Sequence, residues 1–79
     1  MEELVKYIVE NLVDNKEEIS ITSVEESPKV TVMTILVSKD DIGKVIGRNG
    51  KVAGSIRTIV KSASIRSGKR FIVKIGERD

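Results

Sequence analysis

The sequence predicts an α+β domain in which three helices cover one face of a three-stranded mixed sheet. Three observations predict this class: a helical apolar period at the N-terminus, two β-branched runs in the middle, and two helical stripes before a final alternating strand. The predicted element order is α-β-β-α-α-β in a single domain over residues 1–79. One sheet with helices on one side buries every apolar stripe in this order.

The first predicted element is an amphipathic helix. Its apolar residues recur at helical spacing, namely Leu4, Val5, Ile8, Val9, Leu12 and Val13. Glu2 and Glu3 lie at the end where the helix dipole favours negative charge. We expect Tyr7 to be a packing residue of the same helix.

Two strands are predicted next. From Ile19 the period changes to that of a strand, and the polar turn EESPK separates this run from VTVMTILV at residues 30–37. In the first run Ile19, Ile21 and Ser23 alternate with Ser20, Thr22 and Val24. A hairpin is the simplest connection between the two strands. Because the second run is apolar on both faces, it is predicted to be the central strand.

The next two elements are a short and a longer helix on either side of a glycine-containing corner. Ser38, with Asp41 three residues later, resembles a capping box that starts the short helix, which ends at Gly47. After Gly50 a second helical stripe comprises Val52, Ala53, Ile56, Ile59, Val60 and Ala63.

The last element is the strand FIVKI, in which Phe71, Val73 and Ile75 share one face. Phe71 is predicted to lie in the core. The two helices before this strand make a connection long enough for a right-handed crossover, which returns the strand parallel to its neighbour.

Composition excludes several classes of function. With no Cys and no His, the chain lacks thiolate and imidazole metal ligands and the usual general base, so we expect no metal, no cofactor and no enzyme activity. Asp40 and Asp41 are assigned to a helix start rather than to acid–base catalysis. The acidic N-terminus does not resemble a signal peptide, and no apolar run approaches the ~20 residues that span a bilayer. We therefore expect a cytoplasmic protein with no membrane partner and no small-molecule substrate.

Charge is divided between the two halves of the chain. Residues 1–38 carry three Lys or Arg against eight Asp or Glu, whereas residues 39–79 carry 11 against four. This asymmetry favours a polyanionic partner for the second half. The alternative is a small domain with two solvated faces of opposite charge.

The basic half contains the glycine corner, residues 47–50, within the stretch VIGRNGKVAGSI. The longer helix begins directly after Gly50, so its free N–H groups and positive dipole end lie at the corner, an arrangement that binds phosphate. Three basic residues surround this spot: Lys44, Arg48 and Lys51. Gly43, one turn earlier, leaves a bare helix face. The alternative is that the corner is only a turn, with Gly47 as a left-handed C-cap.

Two other glycine-loop motifs do not fit this spacing. A Walker A loop requires Gly where Arg48 stands, and a dinucleotide loop requires Gly where Val45 stands. The sequence therefore gives no support for binding of nucleoside triphosphates or NAD.

The stretch VIGRNGKVAGSI resembles the signature of K-homology (KH) domains, in which an apolar pair precedes a Gly-x-x-Gly loop and an apolar helix. The predicted element order is that of type II KH domains, and DDIGKVIGRNGKVAGSIRTIVKSAS is similar to the small stand-alone bacterial KH proteins called KhpA. The resemblance covers essentially the whole chain. Gly54 is a departure, because a longer polar residue is expected there. It weakens the helix or marks close approach by another chain.

The resemblance implies a groove for about four nucleotides of single-stranded RNA. The clamp on the RNA backbone would be Gly47, Arg48, Asn49 and Gly50, flanked by the charges of Lys44 and Lys51. Gly43 and Ile46 would line the groove. Lys69 and Arg70, in the loop before the last strand, would contact phosphates on the far wall.

The resemblance also implies partners and a role. Proteins of this kind form homodimers, pair with a larger multi-domain KH protein of the KhpB or Jag type, and act in post-transcriptional regulation as RNA chaperones. A second domain would add avidity to a single weak groove. An alternative is a protein-interaction module with incidental RNA binding, for which Ile65 is the candidate contact unless it folds under the adjoining loop.

Two further nucleic-acid-binding modes are disfavoured. The two aromatics, Tyr7 and Phe71, are too few for the stacking platform of an RRM or OB fold. A helix-hairpin-helix DNA-binding motif shares the glycine corner but normally sits among helices rather than between strands, and it is kept as a minor alternative.

Overall fold

The computed structural model describes residues 1–78. Its elements are α1 (Glu2–Glu10), β1 (Ser20–Ser27), β2 (Val30–Val37), α2 (Ile42–Ile46), α3 (Lys51–Ser64) and β3 (Arg70–Glu77). Single 3-10 turns occur at Lys16–Glu18, Arg48–Gly50 and Ile65–Ser67. The predicted α+β class and the order α-β-β-α-α-β are confirmed, and the 3-10 turns were not predicted.

The sheet has the order β1-β2-β3, with β2 in the centre as predicted. β1 pairs antiparallel with β2, so that Ile21 lies opposite Ile35. β3 pairs parallel with β2, and Val30 lies opposite Arg70. The parallel pairing places the start of β3 beside the start of β2, at the same end as the β1–β2 turn.

The core lies between the sheet and the helices. Met33, Ile35 and Val37 of β2 are fully buried, because alternate residues of a strand face the same side. They pack with apolar side chains of all three helices and of β3, namely Val5, Val9, Val45, Ile56, Val60 and Val73. Each such side chain contributes about 1.5–3 kcal/mol through its removal from water.

The first helix ends earlier than the sequence indicates. α1 ends at Glu10, and the Asn11 side-chain amide donates a hydrogen bond to the Tyr7 carbonyl at 2.7 Å. Leu12 and Val13 still contact the core from the turn that follows. The helical stripe therefore predicted the core contacts of α1 and the turn after it, except at Leu4, which is exposed.

Two packing predictions were wrong. Tyr7 is 69% exposed on the outer side of α1. Ile59 is 42% exposed and Ala63 is also exposed, because α3 buries a narrower stripe than expected, consisting of Ala53, Ile56, Val60 and Ser64. Phe71 is half-buried and packs against the edge of the core.

Candidate nucleic-acid interface

The glycine corner connects α2 to α3, and three of its four residues have positive φ. Gly47 has φ 76° and ψ 173°, Asn49 has φ 57° and ψ 26°, and Gly50 has φ 75° and ψ 14°. The Gly50 amide donates to the Gly47 carbonyl at 3.2 Å. α3 begins at Lys51, directly after the corner, as predicted.

Gly47 is required by both conformation and space. A Cβ atom at this position would lie 2.8 Å from the Val52 backbone nitrogen and closer still to the Val52 side chain. The ψ angle of Gly47 is extended although its φ angle is positive, so Gly47 does not adopt the left-handed conformation of the predicted C-cap. Gly50 does adopt the left-handed conformation. Gly47 therefore lets the chain turn tightly against the first turn of α3.

The corner leaves the N-terminus of α3 open. The Lys51 amide donates to the Arg48 carbonyl within the corner, and no side chain caps the N–H groups that follow it in the first turn of α3. Arg48, Asn49 and Lys51 are exposed beside them. Free amides, the positive end of the helix dipole and two exposed cations together form a place where a phosphate oxygen binds well.

Lys44 is engaged by two carboxylates rather than free beside the corner. Its ammonium donates to Asp14 and, at 3.2 Å, to Asp41. The hydrogen bond to Asp14, followed by that to Asp41, raises the pKa of Lys44 above its ordinary value. The sequence predicted Lys44 beside Arg48 and Lys51 at the corner, whereas the structure pairs its charge with Asp14 of the first half of the chain and with Asp41 of the second half.

Asp41 does not take part in a capping box, so that prediction was wrong. The Ser38 hydroxyl accepts from the Asp40 amide at 3.3 Å, and the Asp41 side chain makes no capping hydrogen bond to its own helix. The buried Asp41 carboxylate instead accepts from the Asp14 amide at 3.2 Å and from the Asn15 amide and side chain at 3.0 Å each. Chiefly because the Asn15 amide donates to its charged form, the pKa of Asp41 is lowered to about 2.

A groove of about 780 Å³ lies between the second half of α3 and β3. Predicted site residues Lys69 and Arg70 line it, together with Lys29, Val30, Arg57, Lys61, Ser64, Ile65, Gly68, Phe71, Ile72 and Val73. Its walls are basic, with aliphatic and aromatic side chains between them. This composition suits a chain with an anionic backbone and apolar bases.

The corner and the groove lie along α3 rather than in one pocket. α3 has 14 residues and is therefore about 20 Å long, and residues 47–50 do not line the groove. Gly54, Arg57 and Lys61 follow one another at helical spacing, so they share one side of α3, with Gly50 directly before the helix and Ile65 directly after it. This side of α3 extends from the corner to the groove.

Gly43, Gly54 and Ile46 leave open surface near this path. A Cβ atom at Gly43 or at Gly54 would have no atom within 4 Å, and Ile46 is 39% exposed. The predicted bare face at Gly43 is therefore present.

Sequence reasoning missed three basic residues of the groove: Arg57, Lys61 and Lys29. The helical spacing of Gly50, Gly54, Arg57 and Lys61 could have identified the two on α3. Arg57 is further fixed because its Nε donates to the Val73 carbonyl at 3.3 Å on the free edge of β3. No local pattern indicates Lys29, which reaches the groove because its carbonyl accepts from the Arg70 amide at 2.7 Å.

Residues 1–78 contain no cluster of three or more side chains suited to hold a metal ion. In the same residues no helix combines the length and the apolar character needed to cross a membrane.

Comparison with known proteins gives a consistent set of matches. The family model described as KhpA/KhpB, KH domain matches residues 2–75. An RNA-binding protein KhpA from Clostridium perfringens is 43% identical over 77 residues, covering 95% of this chain and 99% of the relative. Proteins of the same name from Oceanobacillus iheyensis and Listeria monocytogenes are 45% and 40% identical and cover 95% and 98% of the chain, and 99% and 100% of their own lengths. No solved structure matches the chain.

Proposed function

Because this chain belongs to the KhpA/KhpB family of KH domains, we propose that it binds single-stranded RNA without catalysis. In this proposal the glycine corner holds the RNA backbone and the groove beside β3 receives the nucleotides that follow. The observation that carries the proposal is the uncapped N-terminus of α3, which opens at the corner beside exposed Arg48 and Lys51.

The arrangement of charges supports binding through the RNA backbone. Phosphate oxygens accept hydrogen bonds from free backbone amides and from Arg and Lys, and such contacts carry little sequence information. Gly47 and Gly50 have no side chains, so a sugar-phosphate strand can approach the corner closely. Weak base preference follows, because most of the proposed contacts go to phosphate.

The groove supports single-stranded rather than duplex RNA. Its lining includes Ile65, Phe71 and Ile72, against which unpaired bases can pack, together with the cations Lys29, Lys61 and Lys69. Bases paired in an A-form helix are not available to such a groove. Gly43, Ile46 and Gly54 leave room for the strand on the way from the corner.

The test is a titration of fluorescent RNA at several salt concentrations. If the corner and the groove neutralise three to four phosphates, the slope of log affinity against log salt is about −2 to −3 for a single strand. A flat response would contradict the phosphate clamp. A hairpin stem of the same length should bind more weakly than the single strand, and equal affinity would contradict the groove.

A second role in protein pairing is supported by exposed apolar residues on α3 and in the turn after it. Ile59 and Ile65 are 42% and 73% exposed, and Ile65 also lines the groove. The partner in this proposal is a second copy of the chain or a larger multi-domain KH protein, which would add avidity to one weak RNA site. Sedimentation of the protein alone and with RNA distinguishes RNA binding from protein pairing as the main role. If pairing is the main role, the protein is a dimer both without and with RNA.

A further inference from the structure

The buried Asp41 carboxylate joins two segments that are far apart in sequence. It accepts hydrogen bonds from the Asp14 and Asn15 amides, 27 and 26 residues earlier, and from the Asn15 side chain. Lys44, one turn later on α2, donates to the same carboxylate and to Asp14. These four residues, which we term the α2 tie, connect the start of α2 to the segment after α1.

We propose that Asp41 and Lys44 are positioning residues of the RNA clamp: they fix α2, and with it the glycine corner, against the segment after α1, and Lys44 makes no phosphate contact. The inference rests on the proposed RNA-binding function. It assigns Lys44 a different role from that of the exposed cations Arg48 and Lys51.

The length of α2 makes such a tie necessary. A helix of five residues is too short to be stable by itself and depends on contacts with the rest of the protein. Val45 anchors α2 in the core, and Asp41, which directly precedes the first residue of α2, anchors the start of the helix. Gly47 follows the last residue of α2, so a shift or rotation of the helix moves the corner and the amides that it presents.

The charge around Lys44 argues against a phosphate contact. Its ammonium lies between two carboxylates, so the group formed with Asp14 and Asp41 carries a net negative charge. A phosphate would have to displace at least one of these carboxylates and approach the other. Among residues 1–78, Arg48 and Lys51 form no ion pair, and no such displacement is needed there.

The salt dependence of RNA affinity distinguishes the two roles. Removal of a cation that contacts a phosphate makes the slope of log affinity against log salt shallower by about 0.7 for a single strand. We expect Lys51→Met, the matched control, to show this change. We expect Lys44→Met to leave the slope at the parent value while raising the Kd by about threefold or more. A shallower slope for Lys44→Met, or an unchanged Kd, would overturn the assignment.

A second variant tests the tie without removing a charge. Asn15→Ala deletes one donor to Asp41 and leaves both backbone hydrogen bonds, so the fold should persist. We expect faster hydrogen exchange at the amides of residues 42–50, unchanged exchange at Met33 and Ile35, and a Kd raised by about threefold. Unchanged exchange in residues 42–50 would refute the tie, and unchanged RNA affinity in a variant with faster exchange would refute its link to the clamp.

The exchange measurement separates this inference from the proposed function. If the parent protein fails to bind the RNA probe, the proposed function fails, and faster exchange in Asn15→Ala would still establish that Asn15 supports α2. If the parent binds and Lys51→Met changes the slope, the proposed function stands whatever the outcome for Lys44→Met.

Discussion

Reversing the charge of the glycine corner should abolish RNA binding without unfolding the protein. The change is Arg48→Asp together with Asn49→Asp, at two exposed positions that bury no apolar surface. The φ of Asn49 is 57°, and Asp tolerates this left-handed conformation better than most residues do. Two carboxylates beside the N-terminus of α3 interact favourably with its dipole. The melting temperature should therefore change little.

The loss of affinity can be worked from the change in charge. The substitutions alter the corner by three charge units, from one positive to two negative charges. At about 6 Å in water, each unit changes the interaction with one phosphate by about 0.7 kcal/mol. Three units give about 2 kcal/mol, or roughly a thirtyfold increase in Kd at low salt. Fluorescence anisotropy with single-stranded RNA measures this change, and thermal unfolding measures the stability.

A control variant distinguishes repulsion of RNA by charge at the corner from repulsion by the added negative charge of the whole protein. Lys6→Asp with Thr22→Asp makes the same three-unit change at exposed positions of α1 and β1, neither of which lines the groove. This control should retain most of the RNA affinity. If the corner variant binds RNA as well as the parent does, or if the control loses as much affinity, the corner is only a turn and the pairing role becomes the better account.

Three further predictions concern single residues. Gly47→Ala should lower stability by about 1–3 kcal/mol in urea unfolding, because the new Cβ meets Val52 at a positive φ; a neutral result would contradict the packing of the corner. Gly54→Ala should raise stability by about 0.5–1 kcal/mol yet weaken RNA binding if the strand passes close to α3, and equal binding would place the strand elsewhere. The pKa of Asp41 is about 2 in the folded protein against an ordinary 3.8, so its contribution to stability is complete above about pH 4 and is lost as the pH falls towards 2. Unfolding of Asp41→Asn followed over this range should lack that component, and the same acid dependence in both proteins would contradict it.

Local patterns predicted most of the fold but not the contacts of the α2 tie. The bounds of β2, the parallel return of β3 and the start of α3 follow from β-branched content, connection length and glycine position. Asp41 was interpreted as a local cap because its spacing from Ser38 has that pattern. Its donors lie 26 and 27 residues away, and nothing in the local sequence specifies a contact at that separation.

The sequence identified some residues of the candidate site but not all the residues that line the groove. The corner, Lys69 and Arg70 were identified from the motif and its flanking charges, whereas Lys29 reaches the groove through the pairing of β2 with β3. Ile59 was assigned to the core because it is apolar near a helical stripe. How wide a stripe is buried depends on how the helix sits on the sheet, which spacing alone does not determine.

The sheet order places acidic residues of the first half of the chain and basic residues of the second half at opposite edges of the sheet. β1 and β3 are the two edges of the sheet, so acidic residues of the first half, including Glu25 and Glu26, lie at the edge opposite Arg70 and Lys74. A phosphate backbone is attracted to the side formed by α3 and β3 and repelled from the side formed by β1. One ion pair between the two halves joins Lys44 to Asp14, and Lys44 also pairs with Asp41 of its own half. Because the negative charge of this group limits the attractive surface at the α2 end, we expect a bound strand to run from the corner along α3 towards the groove.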